Sequence, residues 1–263
     1  MSGAGRPRDR APWVWRVAMV AARLLVALVG RLRVSGGVRV SGPVLLAANH
    51  VGPADPVVLV AAAARLGLAP RIMATGGVFR APVLGWLMRR SGHVRVDRRS
   101  AAVRESLAAA GVVLASGASV LVYPEGRIGL DPGLWPERGK TGAARLALAA
   151  GVPVVPVAQW GAHEVLPYGV PRRLLRTVGR AVWRRPVLRV HVGEPVDLSG
   201  CVAGDRGDAA RATELIVEAI ARELVPLRVA EPVVPRWVDP TRPVSVARSR
   251  RVRSVGDGGV AGR

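Results

Sequence analysis

Short apolar runs of β-forming residues alternate with helical stretches along most of this chain, and that alternation restricts its fold more than any other feature. Residues 43–48 (PVLLAA) read as a buried strand, and residues 56–66 as a helix ending at Gly67, with Asp55 and Pro56 as start signals. Residues 71–73 and 92–96 read as short strands, with a helix over 82–90 between them. The pattern repeats in helix 102–115, strand 119–123, helix 139–150, strand 152–158, strand 187–192 and the amphipathic helix 208–224. A further strand-like run, 38–40, is bracketed by Gly36, Gly37 and Gly42. Such alternation predicts an α/β fold, a mostly parallel central sheet flanked by helices.

The 263 residues suffice for one such domain with a sizeable core. Residues 11–29 are apolar but interrupted by Arg16 and Arg23, seven apart on one helical face. A spanning helix wants about 20 uncharged apolar residues. The stretch therefore reads as an N-terminal amphipathic, membrane-associated helix, with an ordinary packing helix as the alternative. Residues 1–35 are thus expected to form a basic arm and interfacial helix, and 36–226 the α/β domain. Residues 227–263, rich in Pro, Gly and Arg, are expected to be a disordered basic tail.

The formal charge is +21, with Lys140 the single lysine, and points to an anionic partner: lipid headgroups, a phosphorylated substrate or nucleic acid. The arginines are spread along the chain and few aromatic residues are available for stacking, which argues against nucleic acid. Cys201 is the lone cysteine, so no intrachain disulfide or cysteine-based metal cluster can form.

Polar residues just past strand ends are where sites form in open α/β sheets. The first such end is Asn49-His50-Val51-Gly52-Pro53-Ala54-Asp55. The Gly52-Pro53 turn can bring the Asp55 carboxylate back to the imidazole, fixing its tautomer and leaving Nε2 to take a proton. Alternatively, Asp55 only caps the helix that follows. The second end is Tyr123-Pro124-Glu125-Gly126-Arg127, a carboxylate and an arginine at a turn. Between them, residues 92–98 end in Asp97-Arg98, where Arg98 could grip a phosphate or equally form a structural ion pair with Asp97 or another carboxylate. Residues 152–157 (VPVVPV) carry two prolines and read as an edge or irregular strand. Gly139-Lys140-Thr141 is no phosphate-binding P-loop, because the first glycine of that motif would fall at Leu134.

In order and spacing, these four blocks resemble the glycerophospholipid acyltransferase family, of the 1-acylglycerol-3-phosphate acyltransferase type. The resemblance implies His50 as catalytic base with Asp55 as its orienting partner. It implies an acceptor-phosphate site at Arg98, Glu125, Gly126 and Arg127, and an acyl-donor side at Val154 and Pro156. Two departures stand out. Arg127-Ile128-Gly129 replaces the family's Thr-Arg-Ser, moving the arginine by one position, and Thr75-Gly76-Gly77 stands where a lysine is usual.

The implied reaction moves a fatty acyl chain from acyl-CoA or acyl-carrier protein to a lysophospholipid hydroxyl, giving phosphatidic acid. Neither metal nor cofactor is expected, acyl-CoA entering as co-substrate. The expected partners are the two substrates and an anionic membrane surface, not nucleic acid. The expected location is the cytoplasmic face of the cell membrane. Other acceptors, glycerol-3-phosphate or a lysophosphatidylinositol-type glycolipid, remain open at this point.

Overall fold

The computed structural model describes residues 11–97, 100–131, 133–169, 174–205 and 207–228. Seven strands form one sheet: β1 (Arg31–Gly36), β2 (Leu45–Ala48), β3 (Arg71–Thr75), β4 (Val94–Val96), β5 (Val120–Val122), β6 (Val154–Trp160) and β7 (Val187–Val192). Their order across the sheet is β1-β7-β6-β2-β5-β3-β4. All pairs are parallel except β6 with β7, so β1 and β7 run against the other five. The expected parallel α/β sheet is therefore present, with an antiparallel two-strand extension.

Successive side chains of a strand face opposite sides, and the core divides accordingly. Leu46 and Ala48 of β2 pack on one side with α1 (Trp13–Val29), α2 (Asp55–Arg65), α3 (Gly76–Arg80) and α4 (Pro82–Arg90). The short α7 (Ala162–Val165) and α8 (Leu174–Arg184) also contribute to that layer. Leu45 and Ala47 face the opposite layer, built from α5 (Ser100–Ala115), α6 (Gly142–Ala150) and α9 (Asp208–Leu224). A 3₁₀ turn, Val225–Leu227, closes the described chain beside β6.

Three expectations are corrected. Residues 38–40 are not a strand; the glycines around them leave irregular backbone. The strand in that region is β1, which pairs with β7 from Arg31 to Gly36 and so draws residues 31–35 into the sheet. Nor is β6 an edge strand despite Pro153 and Pro156: it lies between β7 and β2, and all seven of its residues are buried. Pro153 precedes the strand, and the Pro156 carbonyl accepts from the Gly193 N–H, just past the end of β7. The missing proline N–H therefore falls where the ladder to β7 has stopped.

Helix α1 is apolar on two faces. Val14, Trp15, Met19, Val26 and Val29 are buried, with α2 as the principal neighbour. Trp15 meets His93 edge-on at 4.2 Å, and His93 Nδ1 accepts from the Ile72 N–H. Burial, with the Arg71 charge, holds His93 down to about 3, so it stays neutral. The opposite face of α1 exposes Trp13, Val17, Val20, Leu24 and Leu28 at helical spacing. No helix among the described residues is long and apolar enough to cross a membrane. The Arg98 position and the sequence-expected tail beyond Arg228 lie outside the described residues.

Candidate active site

The site begins where β2 ends. Asn49 is locked onto Gln159 of β6 by three hydrogen bonds: Asn49 Nδ2 donates to the Gln159 carbonyl at 3.0 Å, while Gln159 N donates to Asn49 Oδ1 and its Nε2 to the Asn49 carbonyl, both at 2.8 Å. Both residues are fully buried, so the network satisfies polar groups that water cannot reach. It fixes the backbone from which His50 projects.

The turn 51–54 then brings Asp55 back beneath the imidazole. Asp55 Oδ2 lies 2.7 Å from His50 Nδ1 and accepts backbone N–H bonds from Val51 at 2.6 Å and Gly52 at 2.9 Å. Asp55 is the first residue of α2 and its side chain makes no capping bond to that helix, so the capping alternative is set aside. Its carboxyl is pushed up by complete burial, and the His50 hydrogen bond and charge pull it back. With Nδ1–H donating to the carboxylate, Nε2 is the nitrogen left to accept a proton.

Tyr123, just beyond β5, lies flat against His50 with ring centroids 4.1 Å apart and planes 18° apart. Its hydroxyl is buried with no hydrogen-bond partner among the described residues, as is Asp55 Oδ1. Burial first, then the Asp55 charge, drives the Tyr123 hydroxyl well above its ordinary range.

Glu125 follows on the same strand end, buried. Its Oε1 accepts the His50 N–H and its Oε2 the Glu137 N–H, each at 3.0 Å. Burial pushes its carboxyl up to about 8 against the pull of those two donors. The loop then returns to the histidine, Gly129 N donating to the His50 carbonyl at 2.8 Å. A Cβ on Gly129 would stand 2.8 Å from Glu125 Oε2, so a larger residue there would have to displace that carboxylate.

The remaining sequence-derived positions divide. Gly126 is exposed at the turn, with the Lys140 side chain beside it. Arg127 is partly exposed and directs Nε and Nη2 to Glu137 Oε2 at 3.1 and 2.8 Å, while Glu137 Oε1 accepts the Leu130 N–H. Glu125 is engaged with backbone N–H groups, at the back of His50. Val154 and Pro156 are buried within β6, Val154 in the α5–α6–α9 layer. Near the Arg98 position, Asp97 pairs with Arg95 at 2.8 Å. Among the described residues no group of three or more His, Cys, Asp or Glu side chains could hold a metal ion.

Gln159, Glu137 and the Tyr123 stack were not found from sequence. Gln159 left a usable signal, a lone polar residue in an otherwise apolar strand that must find a partner. Glu137 left none, since its role depends on a loop folding back onto the Glu125 turn.

The family described as Acyltransferase matches residues 31–160, which hold the whole dyad and the Glu125 turn. A chloroplastic 1-acyl-sn-glycerol-3-phosphate acyltransferase of Brassica napus is 32% identical over 148 residues, 55% of this chain and 41% of that protein. One of Chlamydomonas reinhardtii is 33% identical over 164 residues, 61% of this chain and 46% of that protein. The chain thus spans less than half the length of these relatives. The crystal structure of the 1-acyl-sn-glycerophosphate acyltransferase PlsC from Thermotoga maritima superposes with a TM-score of 0.58 at 22% identity, covering 78% of this chain and 77% of that one, and has the same fold. The relatives agree with the four sequence blocks: residues 31–160 form an Acyltransferase-family domain, and the chain is similar to the glycerophospholipid acyltransferases.

Proposed function

We propose that this protein transfers a fatty acyl chain from a thioester donor, acyl-CoA or acyl-carrier protein, to the free hydroxyl of 1-acylglycerol-3-phosphate, forming phosphatidic acid. The observation that carries the reading is the His50–Asp55 pair, 2.7 Å apart at the end of β2, with the histidine backbone held from behind by Glu125. His50 Nε2 takes the proton of the acceptor hydroxyl as its oxygen attacks the thioester carbonyl. Collapse of the tetrahedral adduct breaks the carbon–sulfur bond, and the departing thiolate receives that proton from His50. Asp55 stabilises the imidazolium in between.

Arg127, with Lys140 beside the Gly126 turn, supplies positive charge for the acceptor phosphate, and Arg98 is a further candidate. Holding the phosphate away from the reacting carbonyl supplies orientation rather than chemistry. Glu125 serves through the His50 backbone rather than at the phosphate. The substrates are lipids, and the exposed apolar face of α1 (Trp13, Val17, Val20, Leu24, Leu28) would place the enzyme at the surface of an anionic bilayer.

Mass spectrometry of products tests the assignment. Purified protein is offered lysophosphatidic acid, glycerol-3-phosphate or lysophosphatidylinositol, each with acyl-CoA and with acyl-carrier protein. Fastest conversion of lysophosphatidic acid is expected. Preference for either other acceptor would overturn the substrate, and Ile128 at the usual arginine position makes that comparison essential.

A further inference from the structure

Helix α8 carries a surface that the reaction does not use. It turns Ala181 into the core, with Val178 and Val182 packed beside it. On its outer side Leu175 is 88% exposed and Trp183 is 83% exposed. These two are eight residues apart, hence on one face of the helix. Arg176, Arg180 and Arg184, spaced by four, form an adjoining strip, also exposed. Two nearly bare large apolar side chains on one helical face are unusual for a surface meeting only water.

The helix is also fixed to α1. Arg185 follows it in left-handed conformation, φ 46°, and its N–H closes α8 on the Ala181 carbonyl at 2.7 Å. Its guanidinium donates to the Ala27 carbonyl in the last turn of α1 at 2.7 Å, and Arg31 Nε donates to the Arg185 carbonyl at 3.2 Å. This joint lies at the catalytic end of the sheet. There β7 begins at Val187, against Gly161, two residues beyond the Gln159 that holds Asn49.

We propose that α8 is a second membrane-binding helix, coupled to α1, that lies in the headgroup region of an acidic phospholipid bilayer and turns the His50 end of the sheet toward it. The proposal rests on the membrane reading of α1 given above. Charge complementarity selects the occupant: an apolar strip bordered by three arginines matches acyl chains bordered by anionic phosphates. Aromatic residues such as Trp183 favour that boundary.

The test is cosedimentation of the full chain with phosphatidylcholine vesicles, with and without phosphatidylglycerol. Leu175→Ser/Trp183→Ser should weaken partitioning roughly tenfold or more, since two large side chains lose their burial in lipid. Arg176→Gln/Arg180→Gln/Arg184→Gln should weaken it on the phosphatidylglycerol vesicles alone, and provides the test should the serine variant fail to fold. Val17→Ser/Leu24→Ser on α1 separates the two claims. If the α1 variant detaches while both α8 variants bind as wild type, the α8 proposal is overturned and the membrane reading stands. If wild-type protein ignores both kinds of vesicle, the membrane reading falls and takes the proposal with it. If the serine variant changes only the mass seen in sedimentation velocity, the face is a protein contact and the proposal is overturned.

Discussion

The Glu125 carboxylate sits behind His50, with Oε1 3.0 Å from the His50 backbone nitrogen and Oε2 3.0 Å from that of Glu137. His50 is therefore positioned twice, through its ring by Asp55 and through its backbone by Glu125. The two contacts make different predictions.

Replacing Glu125 by Gln leaves one amide oxygen for two backbone donors, so one bond must be lost. A destabilisation of about 1–3 kcal/mol is expected near pH 5. The wild-type carboxyl has its folded value raised to about 8 from an ordinary 4.5. Its contribution is fully present below about 4.5 and is lost as pH rises to about 8, because the unfolded chain releases a proton that the folded chain retains. Urea unfolding across that range should show the advantage of wild type over Glu125→Gln shrinking with rising pH. A constant advantage would mean that the carboxyl is already ionised in the folded protein.

Asp55 Oδ2 accepts from three donors at once. In Asp55→Asn the amide cannot serve all three, and the imidazole loses its orientation and the charge that stabilises its protonated form. A fall in kcat of about 10²–10⁴ is expected with a stable fold. Steady-state kinetics with a melting curve checks both parts.

Asn49→Ala removes two of the three bonds to Gln159 and leaves the Gln159 backbone N–H and carbonyl without those partners in a fully buried strand. A loss of about 2–4 kcal/mol is expected in urea unfolding. A cost below about 0.5 kcal/mol, the range of inconsequential surface changes, would mean that the network does not hold the strand end.

Tyr123→Phe keeps the ring against His50 and deletes a buried hydroxyl that has no partner among the described residues. Stability should be unchanged or rise by about 1 kcal/mol, since an unsatisfied buried group is a cost. Acyl transfer should stay near wild type. A tenfold loss of rate would give the hydroxyl a role in the chemistry.

The parts of the fold legible in the sequence are those whose pattern is local. The bounds of β7 and α9 coincide with their sequence reading, because a strand with alternate residues buried and a helix with one apolar stripe carry their periods openly. Strand β1 was missed because its arginines mask a weak alternation on a sheet edge, and α8 because more than half of its face is exposed and charged or bare. In the site, the His50–Asp55 contact was legible because a single turn closes it. The hold of Glu125 on His50 was not, because it joins residues 75 positions apart and depends on β2 and β5 being neighbours.

The proposed role of His50 as the base stands or falls with the His50→Ala variant. Purified variant and wild type are given lysophosphatidic acid and acyl-CoA at equal concentration, with circular dichroism confirming equal folding. With His50 as the base, kcat of the variant falls by about a hundredfold or more, the contribution of a positioned general base. Acyl transfer persisting near the wild-type rate would contradict it.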